Sequence, residues 1–321
     1  MRLREGRATR FARARATLKL STTPRDWFEC RRLPNGTTYL RWSGLFEFLI
    51  ARDGRRIDFR RLRGATAESL TTYLLGQVLS FSLLSFGYEP LHATAVVIDG
   101  EAVGFLGNCG YGKSTLGAGF LIRGFPILTD DVLALEREGG RWIAHAGPAR
   151  LKLFPSVAQG VLARDNGRLM NPETSKLVLP LAPAEANART LPLRALYVLN
   201  DPAERGTQGV TIAPLSGQQS FIETIHAAFN LIQIDRARLE NHFGMATQLV
   251  REVPLRRLTY PRRLSLLDAV CVAVLNDAMA ITKAPHTPPG PSSLRSQLLH
   301  RTRPRRARQA SARRGARRAS G

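Results

Sequence analysis

AVGFLGNCGYGKS, residues 102–114, combines an apolar run, a glycine-rich octet and a terminal Lys-Ser pair. The first five positions are apolar enough for a buried strand. The octet Gly107-Asn108-Cys109-Gly110-Tyr111-Gly112-Lys113-Ser114 fits G-x-x-x-x-G-K-[ST] without mismatch. Residues 114–123 carry a helical pattern closed by Gly124. The octet therefore has the context it needs, with a strand feeding it and a helix leaving it. Gly107, Gly110 and Gly112 admit backbone angles and close approaches that a Cβ blocks. Successive N–H groups of such a loop converge on phosphate oxygens, and the helix adds its positive N-terminal end. Lys113 is placed to reach the β- and γ-phosphates, and Ser114 to hold a magnesium ion. Asn108, Cys109, Tyr111 and Thr115 complete the expected contacts. A nucleoside triphosphate with Mg2+ is the expected ligand. The loop by itself leaves kinase, ATPase and GTPase open.

Working downstream, Asp130 and Asp131 follow Lys113 by 17 and 18 positions, at the end of the apolar run 126–129. An acid at the end of an apolar strand beside a phosphate loop serves the metal. Side chains alternate along a strand, so the two acids are expected to point different ways. One then holds magnesium, while the other faces an acceptor hydroxyl and takes its proton. The competing reading is a solvated turn before Val132.

Taken together, Leu91-His92-Ala93, Gly104-Phe105-Leu106, the octet, Arg123-Gly124 and Thr129-Asp130-Asp131 resemble the catalytic domain of HPr kinase/phosphorylase and its HPr-kinase-related relatives. The resemblance runs over about residues 91–135. It implies an α/β (α+β) domain with a mixed sheet and flanking helices, a P-loop fold like that of phosphoenolpyruvate carboxykinase. It also implies roles. Lys113 and Ser114 serve ATP and magnesium, Asp130 lies at the metal, Asp131 is the proton acceptor, and His92 lies near the reacting phosphate. The chain departs from the bifunctional enzymes in lacking their later acidic, glycine-rich segment. Pro148-Ala149-Arg150-Leu151-Lys152-Leu153 stands there instead, so phosphorolysis and HPr itself are not implied.

The rest of the chain bounds the organisation. Of 321 residues 44% are apolar, enough for one large domain. Residues 1–25 read as a basic, disordered arm, or as the product of a start codon placed too early. Residues 26–284 read as the nucleotide-binding kinase domain. Within it a small β-rich part has strands at 37–42, 45–51 and 57–60, with Asp53-Gly54 as a hairpin turn. A long helix is expected over 65–86, with Thr66 or Glu68 serving its first turn. A strand is expected to start at 126–128 and run into the acidic pair, with 132–135 continuing as a strand. Later helices are expected near 218–233, 236–250 and 265–282, the last capped by Ser265 with Asp268. Leu215-Ser216-Gly217-Gln218-Gln219 looks like a transporter-ATPase signature, but Ser216 reads better as a helix cap.

Residues 285–321 hold ten Arg and no acid, and residues 1–20 hold seven basic residues against Glu5. These ends supply most of the net charge of +22. Nucleic acid is thus expected to interact only through them. The tail lacks interleaved aromatics for base stacking and reads as disordered. Arg150 and Lys152 share one face of a strand and are placed to meet phosphates, with Lys176 a weaker case of the same kind. Cys30, Cys109 and Cys271 form no C-x-x-C pair, which fits a reducing cytoplasm. No stretch approaches a membrane span. The expected partner is a phosphate-accepting protein, peptide or small molecule, with a homo-oligomer left open. The rival functions are an NTP-binding switch or ATPase and a non-enzymatic scaffold with basic arms.

Overall fold

A computed structural model of the protein describes residues 1–21, 26–204, 208–230 and 236–281, all within the unit Met1–Ala284. The basic tail expected at 285–321 lies outside the described residues.

Aromatic and branched residues at the start of the chain build a five-stranded sheet. Its strands are β1 (Arg2–Glu5), β2 (Phe28–Arg32), β3 (Thr38–Trp42), β4 (Phe46–Ile50) and β5 (Arg56–Arg61), in the order β1-β5-β4-β3-β2. Helix α1 (Ala8–Thr17) follows β1. Every residue of β3 and β4 is buried, because both faces of the sheet are covered. On one side Phe11 and Ala14 of α1 pack on Tyr39 and Leu49. On the other side Leu40, Trp42, Phe46 and Phe48 pack against Val78 and Phe81.

This corrects the reading of residues 1–25 as a disordered arm, insofar as residues 1–21 are described. β1 pairs in parallel with β5, and Phe11 is fully buried. The arginines occupy the outer face. Arg4 and Arg10 reach the buried Asp58, and Arg15 reaches Glu47. The apolar stripe is only a few residues wide and is diluted by arginine in the composition.

Beyond the sheet runs α2 (Ala67–Tyr73), a π turn (Leu74–Val78) and α3 (Leu79–Ser85). Thr66 caps α2 in a capping box with Ser69. The single helix expected over 65–86 is thus interrupted by a π turn.

The second sheet carries the glycine-rich loop. Its first strands are β6 (Leu91–Ile98), β7 (Glu101–Leu106), β8 (Ile127–Leu133), β9 (Leu135–Glu138) and β10 (Arg141–Ala144), with α4 (Lys113–Leu121) after the loop. A separate three-stranded sheet follows. It contains β11 (Arg150–Leu153), β12 (Arg168–Asn171) and β13 (Thr174–Pro180) in the order β11-β13-β12, with α5 (Pro155–Leu162) between β11 and β12. The chain then returns through β14 (Leu191–Leu199), β15 (Thr211–Pro214), α6 (Gly217–His226), α7 (Arg236–Glu252), β16 (Leu255–Thr259) and α8 (Leu267–Ala280).

The main path of the large sheet is β15-β16-β14-β7-β6-β8, with β10 pairing β14 and β9. It is mixed: β14 is parallel to β7 and β16, whereas β6 is antiparallel to β7 and β8. Helices α4 and α8 cover one face through Leu116, Phe120, Val270 and Val274, and α7 covers the other through Leu249. Two covered faces explain why β6 and β7 are almost unbroken apolar runs.

β8 runs through the acidic pair to Leu133, as a strand continuing past the two acids requires, and no solvated turn interrupts it there. One local expectation is corrected: Ser265 and Asp268 do not cap the last helix. Leu264–Leu266 forms a 3-10 turn, α8 begins without a side-chain cap, and Asp268 is drawn to Arg123. Ser216 does cap α6, in a box with Gln219.

Candidate functional site

Three adjacent strands bring the site together. Ala93 of β6 pairs with Leu106 of β7 on one side and with Asp131 of β8 on the other. Asp131 is therefore level with the end of β7, one residue before the loop starts. Gly107, Gly110 and Gly112 have φ of +148°, +87° and +92°, which glycine adopts without steric cost. Lys113, the first residue of α4, is buried and curls back over the loop. Its Nζ donates to the carbonyls of Gly107 at 2.6 Å and Asn108 at 3.0 Å. Burial pushes the Lys113 pKa down to about 8, a fall opposed by the Asp131 and Asp130 carboxylates and aided by the charge of Lys176. Outside the loop, the Tyr111 hydroxyl donates to Asp201 and the Tyr111 carbonyl accepts from Arg262.

Asp130 is buried and tightly held. Its Oδ1 accepts from Ser114 Oγ at 2.8 Å and from Thr94 Oγ1 at 2.7 Å, and its Oδ2 accepts from the Lys152 backbone N–H at 2.9 Å. Asp131 has φ +90°, a left-handed conformation that is uncommon for a residue with a Cβ. The Thr129 hydroxyl donates to the Val132 carbonyl at 2.7 Å and so closes the backbone around this residue. The alternation expected of adjacent strand residues is thereby broken, and both carboxylates line one cavity. Strain of this kind costs about 1–3 kcal/mol and is concentrated at functional sites.

Asp131 is flanked by two cationic or potentially cationic groups. Lys152 Nζ lies 2.5 Å from Oδ2, and His92 Nε2 lies 3.4 Å from Oδ1. Burial alone raises the Asp131 pKa, but Lys152 and then His92 outweigh it and hold the carboxyl well below the usual carboxylate range. A close approach from the π turn completes the surroundings: a Cβ added to Gly76 would sit 3.0 Å from Asp131 Oδ2.

The cavity has a volume of about 290 Å3. Of the residues singled out by sequence, His92, Cys109, Gly110, Gly112, Lys113, Ser114, Thr115, Asp130, Asp131, Lys152 and Lys176 line it. Gly107, Asn108 and Tyr111 instead line a neighbouring cleft of about 520 Å3, together with Asn200, Asp201 and Arg257. The loop thus separates two recesses. Lys152, singled out with Arg150 for their shared strand face, reaches the Asp131 carboxylate, while Arg150 is spent on Thr72. Thr94 and Gly76 gave no signal, because their roles depend on strand register and on helix packing. Among the described residues no cluster of three or more His, Cys, Asp or Glu could hold a metal ion. Ser114 and Asp130 are the paired hard-oxygen donors available. Nor is any described helix long and apolar enough to cross a membrane.

No family model matches the chain, and no curated protein matches it. Among solved structures the chain is similar to the HPr(Ser) kinase/phosphatase from Coxiella burnetii, with a TM-score of 0.34 and 13% identity over 60% of this chain and 97% of that one.

Proposed function

We propose that this protein is an ATP-dependent, HPr-kinase-like phosphotransferase that moves the γ-phosphate to a hydroxyl on a protein, peptide or small molecule. One observation carries the reading. The left-handed Asp131 turns a second carboxylate toward the cavity that already holds Lys113 and the Ser114–Asp130 pair. A site that only held a nucleotide would need the loop and one acid. The second, strained acid supports a reaction with an acceptor.

In this reading the residues 107–114 form a P-loop, and its N–H groups with Lys113 hold the β- and γ-phosphates. Ser114 Oγ and Asp130 suit magnesium, because that ion takes few protein oxygens and leaves the rest to water and phosphate. When bound, it neutralises charge on the phosphates. The acceptor oxygen bonds to the γ-phosphorus while the bond to the bridging oxygen breaks, and ADP leaves with that electron pair. The acceptor proton passes to Asp131. Lys152 occupies Oδ2, so Oδ1 beside His92 is the oxygen that receives the proton. A carboxylate held below its usual range is a weak base. It suits a loose transition state, in which bond cleavage runs ahead of proton removal.

Incubating the protein with γ-labelled ATP, magnesium and a panel of peptides and small alcohols tests this reading. The expected result is label on an acceptor hydroxyl. Label appearing only as free phosphate, whatever the acceptor, would instead mean an ATPase.

A further inference from the structure

The small sheet carries a row of cations. Lys152 of β11 pairs in register with Val178 of β13, so the two side chains share a face. Arg150 and Lys176 each lie two residues from that pair and project on the same side. Arg150 is engaged by Thr72, and Lys152 by Asp131. Lys176 has no ion pair among the described residues. Its Nζ lies 5.1 Å from the centroid of the Phe154 ring, and both residues line the cavity that contains Lys113 and Ser114.

A cation over a ring face is held in place without being neutralised. Lys176 is thus an oriented cation without a carboxylate partner, in the same 290 Å3 recess as Lys113. Three lysines, Lys113, Lys152 and Lys176, line the cavity against the two carboxylates of Asp130 and Asp131, and the positive excess favours an incoming anion. The anion that the recess is built to receive is a phosphate.

We propose that Lys176 is a second phosphate-binding cation, carried on the β11–β13 sheet and directed at the terminal phosphate of the nucleotide. This rests on the phosphotransferase reading and deepens it. Lys113 holds the β- and γ-phosphates from the loop side, and Lys176 meets the γ-phosphate from the side of the small sheet. As the acceptor oxygen bonds to phosphorus and the bridging oxygen departs with its electron pair, negative charge spreads over the three transferring oxygens. Lys176 stabilises that charge.

The experiment compares affinities for a non-hydrolysable ATP analogue and for ADP, each with magnesium, in the parent protein, Lys176→Gln and Lys176→Arg. A charge-assisted contact of ordinary strength corresponds to a loss of about tenfold or more. Lys176→Gln is expected to lose about that much affinity for the ATP analogue. It should keep its affinity for ADP, which lacks the γ-phosphate, and Lys176→Arg should retain most of both. Unchanged preference for the ATP analogue over ADP in Lys176→Gln overturns the inference while leaving the phosphotransferase reading intact. Equal loss for both ligands also overturns it, since that pattern marks a structural role. A parent protein that binds neither nucleotide defeats the phosphotransferase reading itself.

Discussion

Asp131 carries the second carboxylate of the site, and its neighbours set what it can do. Lys152 and His92 keep it ionised, and φ +90° aims it at the cavity. Asp131→Asn keeps the shape and loses the proton acceptor. ATP binding should survive, because the loop supplies most phosphate contacts, while transfer falls by about 10²–10⁴-fold. Asp130→Asn should instead lower activity in a way that high magnesium partly restores, because that carboxylate is bonded to Ser114 and not to the proton path. Steady-state rates over a magnesium series separate the two. If Asp131→Asn transfers phosphate as fast as the parent, the assigned role is wrong. The pair itself was legible from its position after an apolar run. That both acids share one cavity was not legible, because strand periodicity predicts alternation and carries no information about a single left-handed residue.

Among the elements, the π turn Leu74–Val78 has the least obvious purpose, yet it packs directly on the site. It places Gly76 against Asp131, where a methyl group would meet Oδ2 at 3.0 Å. π turns within helices recur at functional sites. Gly76→Ala should therefore have opposed effects. Alanine favours a helical backbone over glycine by about 1 kcal/mol, so thermal stability should hold or rise. Catalysis should fall, because the added methyl pushes on a carboxylate already fixed by Lys152. Melting curves alongside transfer rates check this, and an alanine variant with parental activity would mean that the turn does not constrain Asp131. The apolar spacing of 65–86 revealed a helix there but not its interruption. Leu70, Leu74, Val78 and Leu79 recur compatibly with either hydrogen-bond pattern. By contrast, β7, the octet and α4 were legible to within a residue or two, since glycine positions and a Lys-Ser pair are tied to one local geometry.

At the scale of the whole molecule, the N-terminal sheet was only half legible. Its aromatic strands announced themselves, yet the arginine-rich segment ahead of them hid β1 and α1. Phe11 is the test of that correction, being fully buried against Tyr39 and Leu49. Phe11→Ala should cost about 3–5 kcal/mol of stability, read by urea denaturation. A midpoint equal to the parent's would mean that the segment does not dock. In the large sheet, β6, β7 and β8 set the glycine-rich loop, two acids and a lysine together at the recess that would take the phosphates. Calorimetric titration of a non-hydrolysable ATP analogue with magnesium, into the parent protein and Lys113→Ala, tests that role most directly. Losing a charge-assisted contact worth about 1.5–3 kcal/mol should weaken binding by about tenfold or more in a variant that still melts like the parent. Equal affinity in the two folded proteins would show that the loop of residues 107–114 is not where the triphosphate sits.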